Sequence, residues 1–187
     1  MVIRGNTVVM ILCWGKNLTR ASVDDMGKMP LHPYEVGSLR GSFREDVRVI
    51  SSTKPRDFMD VGSFIFVSKK VKTILEKHGA AAELYPVSLI CKGNDHHDSF
   101  YLHLLEEVDC LDPEKTVRAG PEYAQPELIK HMVLREAACK GIPIFRIGAS
   151  PKIGVSDELA SALRNAKCTG AIFQKPEEWR NPALFYE

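Results

Sequence analysis

The sequence predicts an α+β fold: a mixed, mostly antiparallel sheet with two similar β-helix-β units packed into one globule. Two observations carry this. Residues 64–75 read FIFVSKKVKTIL and residues 152–163 read KIGVSDELASAL, so an apolar run, a serine and a helix-like apolar spacing occur twice in the same order. Around them lie short β-branched and aromatic runs punctuated by glycine and proline, as expected of strands joined by turns. A matching cap, helix face and following strand at one fixed offset favour an internal structural echo.

The elements follow in order. Residues 7–14, TVVMILCW, form a short β-branched run that reads as a buried strand rather than a signal peptide, because no small-x-small cleavage site follows. Residues 15–47 are polar and glycine-rich, without a clean period. A stretch that long either hides short helices or forms a flap. VRVIS at 47–51 is a strand. SFIFVS at 63–68 is the next, and Ser68 is placed to cap a helix by accepting from an amide of its first turn. Val71, Ile74, Leu75 and His78 share one face of that helix, and Gly79 stops it. ELYPVSLIC at 83–91 is a strand in which Pro86, lacking an N–H, belongs at an edge, a bulge or an end.

Residues 99–112, SFYLHLLEEVDCLD, read as one long strand that hairpins with 83–91 and turns at Asp112-Pro113. Residues 127–134 are a strand or a short helix, and 135–141 a helical turn ended by Gly141. The second copy begins with a strand at 142–148 and a turn at Ser150-Pro151. Ser156 then caps a helix whose first turn carries Asp157 and Glu158, the sign of charge the helix dipole favours there. Leu159, Ala162, Leu163 and Ala166 form its face, and 171–174 the strand beyond Gly170. The tail groups Trp179, Phe185 and Tyr186, which are expected to pack on the body.

Composition bounds the function. The chain has 187 residues, 25 Lys plus Arg and 24 Asp plus Glu. That balance argues against a dedicated nucleic-acid binder, which carries a basic excess, and against an electrostatic membrane anchor. The length suits a single domain over 1–187, with 1–50 readable as an N-terminal extension and the best-supported core at 55–176. Five cysteines, Cys13, Cys91, Cys110, Cys139 and Cys168, are odd in number and widely spaced. They read as reduced, mostly buried thiols of a cytoplasmic protein.

Chemistry-bearing residues are sparse. Asp95, His96, His97 and Asp98 include metal-ligand types, but neighbours on a strand diverge, so they could chelate one ion only from a loop and with a distant histidine such as His103 or His131. The plainer reading is a polar hairpin loop turning at Gly93-Asn94 or Asn94-Asp95. Cys139 with His131, and Cys91 with His96, can be drawn as thiol–imidazole pairs without a local signature to support either. Glu106, Glu107, Asp109, Asp112 and Glu114 make a locally acidic run, either a solvated face or a dock for a basic partner.

Three segments, DFMDVGSFIFVSKKVKTILEKHG, YLHLLEEVDCLDPEKT and IFRIGASPKIGVSDELASALRNAKCTGAIF, resemble in that order a family of bacterial immunity proteins encoded beside polymorphic toxins, including effectors of contact-dependent and type VI secretion. The resemblance spans roughly 55–176. It implies a cytoplasmic, non-catalytic inhibitor that binds a cognate toxin from a neighbouring gene, with no cofactor, metal, nucleic acid, membrane or small substrate. Asp95, His96, His97, Asp98, Glu106, Glu107, Asp109 and Asp112 are the candidate partner contacts. Two other classes stay open: a metal-dependent enzyme using the 95–98 loop, and a regulatory module binding a small ligand between its two lobes.

Overall fold

The computed structural model describes residues 9–14, 21–30, 37–44, 46–61, 64–119, 129–148 and 150–179. In chain order the elements are β1 (Val9–Trp14), β2 (Ala21–Val23), β3 (Arg48–Ser51), β4 (Phe58–Val61), β5 (Phe64–Ser68), α1 (Lys69–Lys77), β6 (Ala82–Cys91), β7 (Asn94–Leu104), β8 (Glu107–Val108), β9 (Val117–Arg118), β10 (Ile129–His131), β11 (Ile144–Ile147), β12 (Ile153–Ser156), α2 (Asp157–Asn165) and β13 (Ala171–Gln174). The strands form a six-stranded sheet ordered β2-β3-β6-β7-β5-β4, a five-stranded sheet ordered β13-β1-β12-β11-β8, and a ribbon of β9 and β10. Among the described residues, only the pairs β3–β6 and β8–β11 are parallel. The content is thus mixed and mostly antiparallel, divided between two sheets where the sequence suggested one.

Both helices start at their serines. Ser68 Oγ accepts from the Val71 amide at 3.4 Å and Ser156 Oγ from the Leu159 amide at 3.2 Å; each relieves an amide the first turn leaves unpaired. Val71 and Leu75, and Leu159, Ala160 and Leu163, are buried. Gly79 takes φ +66° after α1, a conformation costly for residues with a Cβ. Each helix then returns to the sheet it left. β5 and β6 are both antiparallel to β7, which lies between them. β12 and β13 are both antiparallel to β1, which lies between them. A hairpin partner precedes each helix-bearing strand, β4 before β5 and β11 before β12.

Two strand assignments need correction. The strand entering α2 is β12, not 142–148; the latter contributes β11, its hairpin partner. Gly154 hid β12 from a propensity reading, and it is there because the Phe145 ring lies where its Cβ would be. The expected strand at 99–112 ends at Leu104. Leu105 still donates to the Ala81 carbonyl at 3.0 Å, but Arg146 and Gly148 donate to Glu106 and Val108, each at 2.9 Å. The chain therefore crosses into the other sheet, where β8 pairs with β11. Pro86 is accommodated inside β6, because β3 covers that strand only from Ser88 onward. Residues 129–131 of the ambiguous 127–134 segment are strand; 127 and 128, like Phe185 and Tyr186, lie outside the described residues.

Three apolar clusters stack through the molecule. The inner one takes Phe58, Val67 and Leu102 from the six-stranded sheet, Met10, Leu12 and Val155 from the five-stranded sheet, and the buried faces of both helices. The second cluster lies on the six-stranded sheet's outer face, under described residues of the 21–30, 37–44 and 46–47 segments. That polar stretch buries Met29, Leu39 and Val47, and Phe43 stacks on Tyr85 and Tyr101 with centroids 4.4 and 5.3 Å apart. It is pinned by Glu83, whose carboxylate accepts from Ser38 Oγ at 2.5 Å, the Leu39 amide at 2.8 Å and the Tyr85 hydroxyl, and pairs with Arg40 Nε at 3.2 Å. The third cluster lies on the five-stranded sheet's outer face, under residues 110–111, 129–139 and Trp179.

Asp57, just before β4, joins the helix-bearing units. Its carboxylate accepts from Ser68 Oγ at 2.8 Å, from the Thr169 amide at 2.8 Å and hydroxyl at 3.0 Å, and pairs with Lys70 at 3.0 Å. Phe58 donates to the Thr169 carbonyl at 2.9 Å. Gly170, at φ +96°, lets this loop pass: a Cβ there would strike the Phe58 carbonyl oxygen. Burial pushes the Asp57 carboxyl up, yet the bonds from Thr169, Lys70 and Ser68 outweigh it and hold it below its ordinary 3.8. A depressed carboxylate contributes stability that is fully present above the unfolded value and is lost as pH falls through the folded one.

Asp57→Asn is therefore expected to lower stability at pH 7 by about 1–3 kcal/mol and to flatten the loss of stability below pH 4, in melts run between pH 3 and 7. Gly170→Ala is expected to cost at least about 2 kcal/mol in urea unfolding, from backbone strain and the clash together.

Candidate partner-binding surface

The sequence-predicted contacts fall into two groups at opposite ends of β7. At the far tip, the turn is Lys92-Gly93, with φ +51° and +82°, the pair of left-handed residues a two-residue hairpin demands. Cys91 pairs with Asn94, so Asp95 to Asp98 belong to β7 and not to a loop, which corrects the expected turn by one or two residues. His96 pairs with Leu89 beside a one-residue irregularity and is exposed. Asp98 lies 3.5 Å from Lys69; the His97 side chain lies outside what the structure describes.

The distant histidines do not join this tip. His103 is fully buried and its Nε2 donates to the Gly37 carbonyl at 2.6 Å; His131 sits on β10, in the separate ribbon. No group of three or more His, Cys, Asp or Glu converges to metal-binding distance among the described residues.

At the near end, where the chain crosses between sheets, the acidic run is only partly a free face. Glu107 and Asp109 are exposed and Glu106 is half-buried. Asp112 is committed to its turn: its Oδ1 accepts from the Glu114 and Lys115 amides at 3.1 Å each, and Lys115 Nζ lies 3.4 Å away. Burial raises the Asp112 carboxyl, but those amides and Lys115 bring it below its ordinary value. Asp109 receives Arg135, which donates to its carbonyl at 2.7 Å and its carboxylate at 3.0 Å.

A cavity of about 240 Å³ opens here, lined by Asp109, Leu111, Pro113, Thr116, Arg118 and Arg135, and Val117 beside it is 49% exposed. The surface is therefore mixed in charge. Arg118 and Arg135 escape a sequence reading because no local signal ties them to Asp109. The isolated bridge Leu111–Leu134 and the β9–β10 pairing bring them in.

The sequence of this chain matches the family model described as Immunity protein family (Imm11) over residues 20–178. The chain belongs to the Imm11 immunity protein family. No curated protein matches it. Imm11 membership carries a toxin-immunity role and implies a cognate toxin as partner. The match runs from residue 20 and so includes the segment over the Glu83 carboxylate.

The thiols of this Imm11 chain are engaged away from imidazoles. Cys91 Sγ donates to the Thr53 carbonyl at 3.1 Å and Cys139 Sγ lies 3.9 Å from the Arg135 carbonyl. Cys91, Cys110 and Cys139 are buried, while Cys13 and Cys168 are partly exposed. Burial pushes the Cys13 thiol up to about 11, and burial likewise raises Cys168. A thiolate is the reactive form, so labelling with a disulfide reagent at pH 8 is expected to be slow. Mass mapping should find Cys168 and Cys13 modified first, with the other three reacting only after denaturant is added.

Proposed function

We propose that this protein binds and neutralises a cognate secreted toxin effector as a stoichiometric, non-catalytic inhibitor in the cytoplasm of the producing cell, within a polymorphic toxin system of the type VI kind. The Imm11 match over residues 20–178 carries the reading. The dispersal of the sequence-suspected histidines and cysteines supports inhibition by shape.

Contact with the toxin centres on the mixed surface around Asp109, Arg118 and Arg135. It combines a cavity, an exposed valine and charges of both signs, and arginines beside apolar pockets are the usual centres of binding energy. The 95–98 tip is a second contact region, roughly 30 Å away along β7 at 3.3 Å per residue. One partner patch of about 800 Å² does not comfortably reach both.

We also read the two helix-bearing units as one motif used twice. The matching serine caps, the matching hairpin partner and the matching intercalated antiparallel strand support it.

Expression of the neighbouring toxin domain alone is expected to stop growth, and co-expression of this chain to restore it. Asp109→Lys with Arg118→Glu should leave folding within about 0.5 kcal/mol of the parent, as exposed changes do, yet weaken protection measurably. Rescue by this double variant at parental level would remove the surface from the proposal, and a harmless neighbour would remove the toxin.

A further inference from the structure

Among the described residues, the middle of the six-stranded sheet contains a free edge. β3 pairs with β6 only at Ser88 to Cys91, and among the described residues no other strand covers β6 on that side. Two bonds fix which way the backbone points. Leu105 N–H donates to the Ala81 carbonyl, toward β7, and Ser88 N–H donates to the Val47 carbonyl, toward β3. The irregularity between the strands takes its extra residue from β7, so alternation along β6 is unbroken. The Ala82, Leu84 and Pro86 backbones therefore face away from β7. Leu84 presents both an N–H and a carbonyl to this edge, and Ala82 and Pro86 present carbonyls.

A groove of about 260 Å³ runs along the same edge, with Lys72, Leu75 and Glu76 of α1 on one wall, Arg40 on the other, and Ala80 and Leu84 among its floor. Leu84 is half-buried, as a floor residue awaiting cover would be. Glu83 beside it is spent: its side chain is 6% exposed and occupied by the segment at 38–40. Burial raises its carboxyl and the bonds from Ser38, Tyr85, Leu39 and Arg40 lower it, with a net fall. The charges at the mouth are two ion pairs, Arg40–Glu83 and Lys72–Glu76, which cancel; the Arg40 side chain is nevertheless 84% exposed and Glu83 only 6%, so a guanidinium faces solvent there. Pro86 withholds one edge donor, which guards against pairing of two copies of this chain while leaving Leu84 available.

We propose that an extended segment of the toxin adds to β6 at Ala82–Pro86 as an extra antiparallel or parallel strand. Main-chain bonds at Leu84 anchor it, its apolar side chains cover the partly exposed Ala80, Ala82 and Leu84, and a carboxylate meets the exposed guanidinium of Arg40. This rests on the toxin-binding reading above. The edge lies at the end of β7 that leads into the Asp109 surface, since Ala82 pairs with Leu104, so one toxin can engage both.

Hydrogen exchange on the full chain, free and mixed with the toxin domain encoded beside it (carrying an inactivating substitution), tests this. A complex that slows exchange of the Leu84 amide at least about tenfold supports strand addition. A complex that leaves Leu84 unchanged overturns the strand addition and leaves the inhibitor role standing. Full protection of Leu84 in the free protein also overturns it, because the edge is then already covered by this chain. Failure to form any complex overturns the inhibitor reading itself. Leu84→Pro removes the donor without touching the β7 ladder and should weaken the complex about tenfold. If that variant melts below room temperature, Arg40→Glu is read in its place and is expected to weaken binding in the same direction. Unchanged affinity in both folded variants contradicts the proposal.

Discussion

The Asp57 carboxylate is the constraint on which the rest of the molecule depends. It accepts from the N-terminus of one helix-bearing unit, at Ser68, and from the exit loop of the other, at Thr169. A carboxylate with several charge-assisted donors around it is stable only if all of them hold their places. That condition fixes α1 relative to α2, and with them the two sheets. The inner apolar cluster then has walls from both units and belongs to neither alone. A buried or half-buried charge left without its donors is costly, so sliding one unit against the other is resisted by the joint as well as by packing.

Each sheet has a second apolar face that the helices cannot reach, and extra chain covers it. On the six-stranded sheet the cover comes from residues 21–30, 37–44 and 46–47, fastened at Glu83; on the five-stranded sheet it comes from 110–111 and 129–139 with Trp179. The paired helices and sheets supply rigidity, while the surfaces with exposed charge and open space lie where cover meets sheet: the Asp109 cavity at one seam and the β6 edge at the other. Recognition built on such seams can vary in sequence without disturbing the inner core, because loop and cover positions bear fewer packing constraints. For a member of an immunity protein family, which implies a cognate toxin as partner, that separation lets specificity change while the fold stays.

Legibility in the sequence followed range. The serine caps, the helix faces, Gly79 and the β6–β7 hairpin were readable because residues a few positions apart decide them. β12 was missed because Gly154 lowers strand propensity, and its reason for being there is the Phe145 ring, nine residues earlier and on another strand. β8 was merged into β7 because nothing local announces that a chain will leave one sheet and pair in parallel with a strand from about forty residues later. The same limit concealed Arg118 and Arg135, which tertiary pairing places beside Asp109, and the Glu83 anchor, whose partners Ser38, Leu39 and Arg40 lie more than forty residues before it. The acidic run was visible, but its division into a turn-bound Asp112 and an arginine-paired Asp109 was not. The single-globule reading was right about content and wrong about the sheet count, because period and propensity do not say which strands are neighbours.

The most direct test of a body welded at Asp57 is equilibrium urea unfolding followed by two probes at once: tryptophan fluorescence, which reports Trp14 and Trp179 on the five-stranded side, and far-ultraviolet circular dichroism, which reports both units. Coincident transitions with one midpoint are expected of a single cooperative body. Separate midpoints, with the fluorescence change displaced from the loss of secondary structure, would mean that the units fold independently and that the joint does not unite them.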